Sequence, residues 1–280
     1  MANTALAEIK EDDAVGAIAE IYDDIRNSLR VPMVNLIFRH MATVPGCLEW
    51  AWASVGPLYV SGRVAGTAQT LLAKQPPLAL NFTFDEITAC GMNAEAMAAV
   101  RATCSAYGSA NPANLLALKA LRLILDETPQ ARAQRKPMTG DITRPPIANV
   151  TALPPMAEMA ALAEDTKELL RALAHQLHGP DGRVIPSFYR HFTAWPQFLQ
   201  LLLRHLQPII DNNALGTAAA AMDHQANHQA SALYLDSPVV PLAAPSEAAA
   251  ATLKELIDLF PPNICKMTLI AQAIARSLPQ

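Results

Sequence analysis

Two short stretches set an arginine beside a histidine in otherwise apolar sequence: FRHMATVP, from Phe38, and YRHFTAWP, from Tyr189. Arg39 and Arg190 could each hold a small carboxylate through paired hydrogen bonds. With His40 and His191 they could equally grip a haem-like cofactor or a metal. From His40 to Gly62 the only acid is Glu49, inside CLEWAWASVGPLYV. A buried carboxylate is costly unless paired or protonated. Glu49 therefore reaches the surface, pairs with a cation such as Arg39, or serves as a tuned acid or base. The position that corresponds to it in the second stretch is Gln200, which cannot ionise.

Other candidates are less specific. DHQANHQ sets His224 and His228 four apart, on one face of a helix, with Asp223 adjacent. That spacing suits two metal ligands, but no third ligand is near in sequence, so a solvated polar face and no metal are expected. His175 and His178 fit histidines at a helix C-terminus. Asn35, Asn111, Ser187 and Asn263 open apolar helical segments. They match an apolar pocket with a few orienting polar groups, or simple helix caps, most readily for Ser187 and Asn111. A Gly-rich phosphate loop, a Gly-x-Ser-x-Gly elbow and a basic aromatic groove are all missing from the sequence.

The elements that must position these groups read as helices. AIAEIYDDIRNSL puts Ile18, Ile21, Tyr22 and Ile25 on one face, and TKELLRALAHQL does the same with Leu169, Leu170, Leu173 and Leu177. Pro and Gly clusters such as GPL, SANP, QPI and FPPN are expected to stop helices. Strand alternation is nearly absent.

The echo extends beyond the Arg-His pairs. Arg39 matches Arg190 and Pro57 matches Pro208 at one spacing, AGTA matches LGTA one residue shorter, and SANPAN matches FPPN with Pro112 on Pro261 and Asn114 on Asn263. A unit this long is a duplicated domain rather than a solenoid repeat. The expectation is an all-α protein of two homologous helical repeats, 1–127 and 156–280, forming an internal pseudo-dimer. A Pro-rich linker, 128–155, joins them and carries Arg132, Arg135 and Lys136 as a solvated basic stretch.

With 280 residues, 51% of them hydrophobic, the chain can bury a sizeable core, and a net charge of −4 gives no reason to expect nucleic acid. The start MANTALAEIKEDD lacks a basic-then-apolar leader, and no apolar run approaches membrane-spanning length, so a cytoplasmic protein with no membrane partner is expected. Four scattered cysteines, Cys47, Cys90, Cys104 and Cys265, suggest buried free thiols.

DIRNSLRVPMVNLIFRHMATVPGCLEWAW, AYGSANPANLLAL and HGPDGRVIPSFYRHFTAWPQFL together resemble the group I 2-haloacid dehalogenases, α-helical enzymes that act on both D- and L-2-haloacids. The resemblance spans most of the chain. It implies a pocket between the halves where a carboxylate activates water for direct attack on the halogen-bearing carbon, without a covalent ester or a cofactor. The family's aromatic pocket positions fall on Met33 and Leu36, and a polar pocket residue on Asn111. Its Ser followed by the catalytic Asp falls on Ser187 and Phe188. Phenylalanine accepts no proton.

Three readings follow. Glu49 takes over as base alongside Asn111, with Asn35, Arg39 and Arg190 contacting a small organic acid; or the substrate differs; or the protein only binds an organic acid, a metal or a haem-like cofactor. The sequence leaves a homodimer open.

Overall fold

The computed structural model describes residues 7–135, 150–179, 185–239, 242 and 244–279; the central part of the expected linker, 136–149, lies outside the described residues. Among the described residues every regular element is helical and none is a strand. In order they are α1 (Ala17–Leu29), α2 (Leu36–Met41), α3 (Cys47–Val60), α4 (Arg63–Ala73), α5 (Phe84–Ala89), α6 (Ala94–Leu125) and α7 (Pro129–Gln134). There follow α8 (Glu164–His178), α9 (Ser187–Arg190), α10 (Pro196–Asp211), α11 (Ala214–Asp236), α12 (Glu247–Leu259) and α13 (Pro261–Ser277).

Local chemistry sets several of these boundaries. Thr83 and Glu86 form a reciprocal capping box at the start of α5, and Asn93, Thr128 and Ser246 cap α6, α7 and α12 with their side chains. The Tyr22 and Ile25 face of α1 is buried, as its periodicity predicts, and the helix stops where Arg30 turns left-handed at φ 55°.

Proline stops fewer helices than expected. Pro57 and Pro208 lie inside α3 and α10, and α6 runs for 32 residues straight through Pro112. A proline ring crowds the carbonyl four residues back and removes one hydrogen bond. Around Pro112 that loss is outweighed by burial, since Ala110, Asn111, Pro112, Ala113 and Asn114 are all in the interior. At FPPN the chain does break: Phe260 ends α12, and Pro261 is the first residue of α13.

One continuous hydrophobic core takes residues from both ends of the chain, from Tyr22, Phe38 and Trp52 to Phe188, Phe192 and Ile274. Helix α6 is its axis, packed most extensively against α13 and α11 and next against α4. A tight spot occurs in α3, where the ring of Trp52 lies over Gly56. A Cβ at position 56 would sit 2.8 Å from that ring. Gly56→Ala is therefore expected to cost about 1–3 kcal/mol, despite the better helix propensity of alanine, and chemical denaturation measures it.

The basic stretch after α6 is not uniformly solvated. Arg132 is exposed, but Arg135 is buried at 5% exposure. Its guanidinium pairs with Glu127 at 2.8 Å, donates to the Ser237 hydroxyl at 2.6 Å and to the Pro238 carbonyl at 3.3 Å, and stacks on Tyr234 with 5.4 Å to the ring centroid. Charge density along the sequence did not separate the exposed arginine from the clamped one.

Candidate functional site

Tyr107 and Asn111 stand one turn apart on α6, on the same side of the helix and both buried. The Tyr107 hydroxyl shares a 2.8 Å hydrogen bond with Ser187, the first residue of α9. Its ring meets Phe188 edge-on at 5.2 Å and His191 at 5.7 Å. One turn further, Asn35 Nδ2 donates to Asn111 Oδ1 over a long 3.4 Å. Two separated segments, around Asn35 and Ser187, thus converge on one stretch of α6.

Neither Asn111 nor Ser187 caps a helix. Asn111 is in mid-helix because α6 does not stop at Pro112, and the Ser187 hydroxyl is turned to Tyr107, while Pro186 occupies the cap position without a capping bond. Asn35 does stand at the N-cap of α2, without a capping bond either. Met33 and Leu36 flank it, both half-buried, with Met33 against the core.

Both arginines lie near this centre, and both have partners already. Arg39 forms an ion pair with Glu8 at 3.1 Å, which corrects the expected pairing with Glu49. Arg190 donates from Nε and Nη2 to the Ala157 carbonyl at 3.0 and 2.7 Å, with Glu158 at 3.6 Å. Each neighbouring histidine completes the pattern: His40 Nδ1 bonds the Ala7 carbonyl, and His191 Nδ1 the Pro154 carbonyl at 2.6 Å. The Arg-His pairs fasten the segments that precede α1 and α8 onto α2 and α9.

Electrostatics tie the two arginines to Tyr107. Burial pushes the Tyr107 phenol up to about 12, even though the Ser187 bond and the charges of Arg39 and Arg190 pull it down. At neutral pH Tyr107 stays protonated and is not a base. Among the described residues the carboxylate that acts on it is Glu11, which is committed elsewhere: it pairs with Arg26 and accepts the Val34 N–H at 2.9 Å.

Glu49 is apart from this group. It is half-buried in the first turn of α3, and its charge acts on the Cys47 thiol, whose sulfur faces the Ala249 carbonyl of α12 at 4.0 Å. Phe188, by contrast, is central but sealed, at 1% exposure among Tyr107, Tyr189 and Phe192. Tyr107 did not stand out in the sequence, and His191 stood out only as the neighbour of Arg190. The available signal was the i, i+4 spacing of Tyr107 with Asn111 and of Ser187 with His191.

The remaining candidates fall elsewhere. Gln200 lines an open groove of about 910 Å³ between α5 and α10, together with Glu86, Cys90 and Arg204. His224 and His228 are exposed on α11, while Asp223 pairs with Lys119 at 2.8 Å. His175 is exposed near the end of α8, and Asn263 lies in the first turn of α13. Among the described residues no cluster of His, Cys, Asp and Glu could hold a metal ion, and no helix is long and apolar enough to cross a membrane.

No protein-family model matches the chain. Among curated proteins it is similar to a configuration-inverting 2-haloacid dehalogenase of Alcaligenes xylosoxydans xylosoxydans, 27% identical over 201 residues. That match covers 70% of this chain and 66% of the relative, so the chain spans just under two thirds of that relative's length. A second relative, an (R)-2-haloacid dehalogenase of Pseudomonas putida, is 30% identical over 91 residues, 30% of each chain. In fold the chain resembles the crystal structure of a D-2-haloacid dehalogenase mutant, with a TM-score of 0.74 and 20% identity over 97% of this chain and 95% of that one. It also resembles a D-2-haloacid dehalogenase in complex with L-LA, at a TM-score of 0.72 and 21% identity over 97% and 96%.

Proposed function

We propose, from the similarity to 2-haloacid dehalogenases, that the chain is a hydrolase-like protein of the group I 2-haloacid dehalogenase family for a small 2-substituted carboxylic acid, with 2-haloacids as the reference substrates. The acid sits between the two helical halves. The reaction is direct attack of water on the substituted carbon, with neither a covalent ester nor a cofactor.

The observation that carries this reading is the 2.8 Å bond from Tyr107 to Ser187, which joins α6 of one half to α9 of the other, with Asn111 one turn away. Two hydroxyls and an amide in an otherwise apolar interior are the kind of polar groups that orient a small ligand. Arg39 and Arg190 add positive potential that favours an anion while their hydrogen bonds stay within the protein.

We read 1–127 and 156–280 as duplicated units around this centre. Matching helix orders support that reading, α1 to α4 against α8 to α11, as do the paired anchors of His40 on Ala7 and His191 on Pro154.

A binding protein without turnover is the second reading, and the sealed position of Phe188 favours it. Halide release from 2-chloro and 2-bromo acids, measured alongside calorimetric binding of the same acids, separates the two. In that assay Tyr107→Phe, which removes one hydroxyl, is expected to weaken acid binding about 5–10-fold, the worth of one net hydrogen bond. Unaltered binding in Tyr107→Phe would place the acid elsewhere.

A further inference from the structure

We infer that His191, through Nε2, accepts the proton of the attacking water, in the role that the family gives to a carboxylate at position 188. The inference rests on the substrate site proposed above. A carbonyl oxygen only accepts hydrogen bonds, so the 2.6 Å contact with the Pro154 carbonyl puts the proton of a neutral His191 on Nδ1. Nε2 then carries the lone pair. The Pro154 carbonyl fixes tautomer and ring orientation together, as such a carbonyl does in enzymes that use imidazole as a base.

The ring is also kept neutral. His191 is 7% exposed, and its pKa is lowered by burial and by the adjacent Arg190, against the opposing pull of the Pro154 bond. An uncharged imidazole is a base that an apolar site tolerates, whereas a carboxylate there has to be desolvated in its charged form.

Placement supplies the third argument. Ser187 and His191 are separated by one helical turn, so both side chains lie on one face of α9 and its C-cap. Both meet Tyr107, Ser187 through its hydroxyl and His191 through its ring. The charged and titratable groups around the ring are Arg190 on its own turn, Glu158 beyond Arg190, and Tyr107 on α6, which is in turn acted on by Arg39 and Glu11. Glu11 is already engaged with Arg26 and Val34, which leaves His191 as the neutral acceptor beside Tyr107.

The step balances without a further reagent. Water oxygen bonds to C2 as the carbon–halogen bond breaks and the halide leaves with the bonding pair. The water proton passes to Nε2, and the imidazolium returns it to solvent. Haloacid and water become hydroxy acid, halide and one proton.

The test uses the full chain, wild type and His191→Asn, with 2-chloropropionate as the probe. Asparagine can still donate to the Pro154 carbonyl but has no proton acceptor. Expected is acid binding within about twofold of wild type and a kcat lower by about 10²-fold or more. In wild type, kcat falls on the acid side with the titration of one group below the ordinary histidine range and is flat above it; that limb is absent from any residual activity of His191→Asn. Undiminished kcat in the variant, the same acid limb retained in the variant, the absence of any acid limb in wild type, or a wild type that binds the acid without releasing halide overturns the inference. Loss of acid binding in wild type removes the site reading itself. Should His191→Asn fail to fold, the pH profile of wild type decides alone.

Discussion

Phe188→Asp is expected to lose about 4 kcal/mol or more of stability and to gain no halide release. The substitution restores the residue type that the family resemblance places at this position, so restored catalysis is the intuitive outcome. Phe188 is 1% exposed, and three aromatic edges close on it: Tyr107 at 5.2 Å, Tyr189 at 5.5 Å and Phe192 at 4.9 Å. Truncating a buried phenylalanine costs about 3–5 kcal/mol, and edge-to-face pairs add to that. An aspartate in the resulting gap is desolvated, which raises its pKa and leaves it protonated, unable to act as a base. Equilibrium denaturation and halide release on the same preparation measure both halves of the prediction. Phe188→Asp with wild-type stability and raised turnover would mean that position 188 opens onto the substrate.

The second large effect is at the clamp behind α7. Arg135→Met is expected to cost about 3–5 kcal/mol, because it leaves the carboxylate of Glu127, whose side chain is 8% exposed, buried without its cation. The Tyr234 hydroxyl, at 3.3 Å, also donates to that carboxylate. Replacing both partners, Arg135→Met with Glu127→Leu, is expected to recover most of the loss, since a matched apolar pair carries no desolvation penalty. Denaturation of the two single variants and the double variant gives the coupling directly. Single-variant losses that simply add would show that the pair is not an energetic unit.

The all-helical fold was legible because periodicity is a local property. Ile21, Tyr22 and Ile25 advertise one buried face of α1 whatever lies opposite, and Tyr22 and Ile25 are in the core. Helix ends were legible only where the side chain itself makes the cap, as at Thr83 and Glu86. Pro112 misled because its effect is decided by what α6 packs against, and α11 and α13 lie far along the chain. The same limit applied at the candidate site. Asn35, Asn111 and Ser187 could be picked out as small polar groups in apolar surroundings, and the structure sets Asn35 against Asn111 and Ser187 against Tyr107. Glu49 stands out in the sequence as the lone acid of an apolar stretch, yet Arg39 pairs with Glu8, which lies in an irregular segment with no periodic signal.

The uninterrupted α6 bears on how the chain acquires its structure. At about 1.5 Å per residue, 32 residues make a rod of about 48 Å. Its principal neighbours, α11 and α13, begin at Ala214 and Pro261, so the contacts that cover it close only after most of the chain exists. During synthesis the first half leaves the ribosome with an apolar stripe along that rod uncovered, and it must wait for the second half. Nucleation on so many distant contacts slows folding, because loop closure is paid for before burial rewards it. Exposed apolar surface of this kind favours association, so residues 1–127 produced alone are expected to self-associate through the stripe.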